Sequence, residues 1–155
     1  MSNVSSNFPE SVTLSQIEGL IKILNEKGGG IKLSELAEDL NVEIDKLLPP
    51  VYACELLGFC NIKKDKLLIK KGTDLKISKK ILAERIRKIE PFKSALLILQ
   101  NGPLTSIELL DALEQKGIIY SIQRHDIQKL FYNIGIRLNL LKYKKEKDEW
   151  SIYNI

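Results

Sequence analysis

Hydrophobic and polar positions alternate along this chain with two different periods, and the order in which the periods change predicts its architecture. From Ser11 to Lys27 the apolar residues Val12, Leu14, Ile17, Leu20, Ile21 and Leu24 recur at helical spacing until Gly28-Gly29-Gly30 ends the run. A second short helix is expected over Lys32–Leu40, with Leu33, Leu36, Ala37 and Leu40 on one side, and a third from about Glu43 to Leu57, closed by Gly58. Pro49 and Pro50 fall inside the third. Each lacks an N–H and crowds the preceding turn, at about 3 kcal/mol in a regular helix interior, so a break, a kink or a helix start is expected within about two residues of Pro49. Phe59–Ile62 and Leu67–Ile69, separated by Lys63-Lys64-Asp65-Lys66, read as a β-hairpin with a charged tip.

An amphipathic helix follows over Ser78–Ile89, ended by Pro91, and the same order then recurs without an obvious sequence repeat. Phe92–Leu99 is a helix stopped by Asn101-Gly102-Pro103. Thr105 with Glu108 three residues later has the spacing of a capping box for a helix running to Lys116. A longer helix from about Ser121 to Leu138 turns Ile122, Ile127, Leu130, Phe131 and Ile134 inward. Leu140–Tyr143 and Glu149–Tyr153 form a second hairpin, in which Tyr143, Trp150 and Tyr153 serve packing.

The fold class is therefore mainly α with short β-hairpins (α+β), as a tandem winged helix-turn-helix. The expected boundaries are a disordered tail over 1–10, a first winged-helix unit over 11–72, a connecting amphipathic helix over 73–91 and a second unit over 92–155. At 155 residues the chain is long enough for two such units.

Charge changes the picture more than composition does. Residues 1–60 hold nine acidic side chains against four basic, and residues 61–100 twelve basic against four acidic. The basic middle makes Lys63, Lys64, Lys66, Lys70 and Lys71 candidates for polyanion binding, together with Arg124, Gln128 and Lys129 on the long helix of the second unit. The third helix of the first unit, carrying Glu43, Asp45 and Glu55 against Lys46, is repelled by phosphates. The least balanced exposed faces are candidates for protein contact: Glu35, Glu38, Asp39 and Glu43 in the first unit, and Arg85, Arg87 and Lys88 on the connecting helix.

No catalytic constellation is expected. Gly28-Gly29-Gly30 lacks the spacing and the Lys-Ser/Thr of a phosphate loop, and the single histidine, His125, reads as solvated. Cys54 and Cys60 fit no metal spacing and read as core thiols. No apolar run approaches the roughly 20 residues a membrane span needs. No metal, cofactor or membrane insertion is expected, and the chain is expected to be cytoplasmic.

Ser34–Pro49 and Glu55-Leu56-Leu57-Gly58-Phe59 resemble the C-terminal AAA-associated domain that follows the ATPase in ABC transporter ATP-binding subunits of the nitrate, sulfonate and taurine import type. The resemblance covers roughly residues 11 to 153, with Leu47-Leu48-Pro49 and Glu55–Phe59 its most specific part, and Pro50 beside Pro49 departs from it. No ATP-binding cassette is expected ahead of the first helix. The resemblance therefore implies a non-catalytic, regulatory protein-interaction module acting in trans on a separate ABC transporter ATPase subunit. The alternative is a winged-helix transcriptional regulator that binds double-stranded DNA, and a homodimer is compatible with either.

Overall fold

The computed structural model describes residues 7–70 and 79–153. These fall into two bodies, one of residues 11–70 and the other of 79–153 together with 7–10. Among the described residues there are seven α-helices and two three-stranded antiparallel sheets, so the chain is α+β. Lys71 and the start of the connecting segment lie outside the described residues.

The first body runs α1 (Leu14–Glu26), β1 (Gly30–Lys32), α2 (Leu33–Leu40), α3 (Ile44–Leu56), β2 (Cys60–Lys63) and β3 (Lys66–Ile69). Helix α1 starts at a capping box in which the Thr13 hydroxyl accepts from Gln16 N–H and the Gln16 side chain accepts from Thr13 N–H. It buries Leu14, Ile17, Leu20, Ile21 and Leu24, the stripe its periodicity predicts. The expected hairpin is present, but β1 joins it, giving the strand order β1-β3-β2. Ile31 and Leu67 pair across that sheet and both are buried, so one sheet face closes the helical core.

Helix α3 starts at Ile44, five residues ahead of Pro49, and continues through both prolines to Leu56, so neither a break nor a helix start stands at Pro49. The prolines remove the N–H partners of the Asp45 and Lys46 carbonyls, which belong to exposed residues, while buried Leu47, Pro50, Val51, Ala53 and Cys54 hold the helix against the core. Cys54 and Cys60 are both buried free thiols, as expected of core cysteines. Contact with Cys60 and then burial push the Cys54 thiol well above its ordinary range.

The second body repeats the order after α4 (Lys79–Ile86): α5 (Phe92–Leu99), β4 (Leu104–Thr105), α6 (Ser106–Gln115), α7 (Arg124–Leu130), β5 (Leu141–Lys144) and β6 (Glu149–Ile152). Its strand order, β4-β6-β5, is that of the first sheet. Thr105 and Glu108 form the predicted capping box. The expected helix over 121–138 is present as one helical run over 121–136 whose winding changes, from a 3₁₀ turn at Ser121–Gln123 through α7 to a π-helical stretch at Phe131–Ile136. Ile122, read as inward-facing, is 89% exposed, because the Gln123 side chain caps Tyr120 N–H and the chain has not yet entered the regular helix. Gly135, in the π stretch, lets β5 pack closely: a Cβ there would stand 2.7 Å from Leu141 Cδ1.

The interior of this body is a file of rings. Phe8, Phe92, Phe131 and Trp150 succeed one another edge to face at centroid separations of 6.0, 5.5 and 6.1 Å. Of the segment read as a disordered tail, residues 7–10 are therefore anchored. Phe8 is buried, its N–H donates to the Glu90 carbonyl at 2.7 Å, and Glu10 accepts from Gln123 Nε2 at 3.0 Å.

Candidate functional site

In the first body the helical side offers an apolar groove of about 380 Å³, lined by Ser15, Gln16, Gly19, Leu20 and Ile23 of α1, Leu40 at the end of α2, Val42 of the α2–α3 turn, and Lys46, Leu47 and Pro50 of α3. The apolar surface continues out of the groove, since Leu40, Val42, Ile44 and Leu48 are all exposed, Leu48 by 45%. These four large aliphatics fall within nine residues, so their exposure is local and not scattered over the surface. They fall together because Asn41 ends α2 in the left-handed conformation and Glu43 opens α3, so the chain turns sharply between the two helices. Of the candidate protein-contact residues, Glu35, Glu38, Asp39 and Glu43 are exposed on α2 and at the start of α3, with Asp39 facing Lys27 at 3.5 Å.

Gly19 forms part of the groove floor, and a Cβ placed there meets nothing within 4 Å. Gly19→Ala is accordingly expected to raise stability by up to about 1 kcal/mol, the helix-propensity difference, because it adds no clash. Chemical denaturation of the two proteins checks it, and a destabilised alanine variant would mean that the groove floor is closed.

The other end of the first body is basic. Lys63 and Lys66 face each other across β2 and β3, Lys64 occupies the turn at φ 57°, and Lys70 follows β3 directly. Lys32 of β1, absent from the sequence candidates, is the cross-strand partner of Lys66 on its other side. The alternation in Gly30-Ile31-Lys32, with only Ile31 buried, is the one local signal that could have marked it as a strand lysine.

The second-body candidates divide. Arg124 is committed internally: its guanidinium stands 2.7 Å from Asp111 and 3.0 Å from Glu114, and these two carboxylates raise its already high pKa. Gln128 is half-buried and Lys129 is exposed one residue further along α7. The structure thus leaves Lys129 available and removes Arg124 from the polyanion set. Arg85, in the last turn of α4, and Arg87 and Lys88, just past its end, are exposed. Sequence reasoning also passed over the second hairpin, where Lys142, Lys144, Lys145 and Lys147 are all exposed.

That hairpin is locked to α6 through one carboxylate. Ser106 Oγ donates to Asp148 Oδ1 at 2.6 Å, Tyr143 O–H donates to the same oxygen at 2.8 Å, and the buried Trp150 Nε1–H donates to Ser106 Oγ at 2.8 Å. The bonds from Ser106 and then Tyr143 hold the Asp148 carboxyl below its usual range. The first body makes the same junction with backbone alone, Leu33 N–H donating to the Asp65 carbonyl at 2.8 Å. Among the described residues no group of three His, Cys, Asp or Glu side chains could hold a metal ion, and no helix is long and apolar enough to cross a membrane.

The model of the family described as the C-terminal AAA-associated domain matches residues 34–143, which is most of the chain and reaches from α2 to β5. The chain belongs to the C-terminal AAA-associated domain family. No curated protein and no solved structure matches it. The AAA-associated match covers part of each body and includes the α2–α3 turn, the Lys63–Lys66 hairpin and Arg124. Helix α1, which supplies half of the groove, and β6, which carries Trp150, lie outside it. The groove is therefore built from an AAA-associated α2–α3 pair and a helix that the family match does not include.

Proposed function

We propose that this AAA-associated domain is a cytoplasmic, non-catalytic regulatory module of two winged helix-turn-helix units, acting in trans by docking on an ABC transporter ATPase subunit. The observation that carries this reading is the apolar surface at the α2–α3 turn, where Leu40, Val42, Ile44 and Leu48 are exposed beside the groove. In a winged helix that position belongs to the recognition helix, and a helix that reads DNA presents cations and amides there. Here the exposed side chains of the first turns of α3 are Glu43, Ile44, Asp45, Lys46 and Leu48, a mixture of apolar area and negative charge suited to a protein surface. In the repeat the corresponding turn again exposes Tyr120 and Ile122.

The exposed lysines of the two hairpins favour a second reading, a winged-helix regulator that binds double-stranded DNA through its wings. The carboxylates on α3 and the internal commitment of Arg124 weigh against it.

The test is capture of a transporter ATPase from the same organism, followed by light scattering of the mixture. The wild type should form a complex and show no nucleotide turnover of its own, and Leu48→Glu with Val42→Glu should reduce capture at least tenfold, because each places a charge in the interface core. If instead no ATPase is captured and a specific duplex is bound at nanomolar affinity in physiological salt, with Lys63→Glu, Lys64→Glu and Lys66→Glu weakening it, the DNA reading replaces this one.

A further inference from the structure

Antiparallel register sets Lys32 of β1 opposite Lys66 of β3, and Lys63 of β2 opposite the other side of Lys66. Directly paired residues project from the same sheet face, and neighbouring strands lie about 4.8 Å apart. Three exposed lysines therefore stand in a row across the full width of the sheet. The neighbouring residues Ile31 and Leu67 point the other way, into the core, so the row belongs to the outer face. Lys64 extends it into the turn, beside Asp65, whose carbonyl is held by Leu33 N–H. Among the described residues no ion pair involves any of these four lysines.

Like charges directly opposite one another destabilise a sheet, so the row needs a reason. The second body supplies the comparison. Its sheet has the same strand order, and at the same level, next to the start of the following helix, Thr105 pairs with Glu149 and Glu149 with Lys144. One architecture thus carries a charge-balanced row in one body and an uncompensated row in the other. The fold does not require the lysines.

We propose that this outer sheet face docks the AAA-associated domain onto a membrane surface by binding anionic lipid headgroups. The inference is independent of the docking partner proposed above. A flat face of lysines, with no arginine fork for bidentate phosphate recognition, suits a diffuse plane of negative charge. Among the described residues no exposed aromatic side chain accompanies the row to stack a nucleic-acid base. A plane meets one face only, so Glu35, Glu38 and Glu43 on the helices need not approach it, whereas a duplex in the recognition position would meet Glu43 and Asp45 of α3.

Co-sedimentation of the full chain with vesicles of phosphatidylglycerol and phosphatidylcholine, against phosphatidylcholine alone, tests this. The wild type should partition onto the anionic vesicles only, and less so as salt rises. Lys32→Gln, Lys63→Gln and Lys66→Gln should each lower the partition about fivefold, and the triple variant should reach background. Lys66→Glu should abolish binding while raising the melting temperature, since it converts two like-charge pairs into two opposite-charge pairs, which separates loss of binding from loss of fold. Lys144→Gln should leave partitioning unchanged. Absence of partition at low salt, equal partition of the triple variant, or duplex binding that needs the row while vesicles do not, would each overturn the proposal.

Discussion

Replacing Trp150 with alanine is expected to destabilise the second body by about 3–5 kcal/mol, the range for removing a fully buried large aromatic side chain. Trp150 is 1% exposed and sits in the central strand of its sheet, paired to Leu104 on one side and Tyr143 on the other. Its ring meets Phe131, Tyr132 and Tyr143 at 6.1, 6.1 and 4.6 Å, so its loss cuts the file of aromatics that begins at Phe8. It also strips Ser106 Oγ of the indole N–H donor. Trp150→Phe, which keeps one ring and loses that bond and part of the buried area, should cost less, about 1–3 kcal/mol. This is the chain's single tryptophan, so unfolding has to be followed by far-UV circular dichroism in denaturant instead of by fluorescence. A loss under 1 kcal/mol for the alanine variant would show that the rings do not carry the core.

The sequence made that body legible where the signal was local. Helix α5 spans the residues its periodicity predicts, Phe92–Leu99, and the Thr105–Glu108 box stands where its spacing put it, because both depend on contacts within four residues. Strands β1 and β4 were not legible. They have three and two residues, and only pairing with β3 and β6, far along the chain, makes them strands. Their absence from the sequence reading hid the lysine row, since Lys32 next to a helix start carries no hint that Lys66 will face it. Ile122 was misplaced for a related reason: periodicity counts it as inward only if the helix is already regular there, and it falls instead in a 3₁₀ turn and is exposed. At α3 tertiary packing overrode local cost, with Leu47, Val51 and Cys54 buried around two prolines that remove N–H partners only from carbonyls of exposed residues. The groove needed three dimensions outright, because α1 and α3 contribute to it from separate, individually unremarkable stripes.

Asp148→Ala is expected to cost about 2 kcal/mol or more and to loosen the second hairpin from α6. Asp148 adopts φ 47°, a left-handed conformation that aspartate and asparagine tolerate and alanine resists, and its carboxylate accepts from Ser106 Oγ, Ser106 N–H and Tyr143 O–H. Ser106 is buried, so losing its acceptor leaves a polar group short of a partner in the interior. Asp148→Asn separates charge from backbone conformation, since it keeps the left-handed tolerance and removes the anion. The folded carboxyl titrates below the ordinary aspartate range, so its contribution is fully present above that range and is lost as the pH falls through the lowered folded value. The stability difference between wild type and Asp148→Asn should therefore be flat from neutral pH down to about pH 5 and should close steadily below the ordinary carboxylate range. Denaturation midpoints measured across that span decide it: a difference independent of pH into strong acid would assign the lock to shape alone, with the charge contributing nothing.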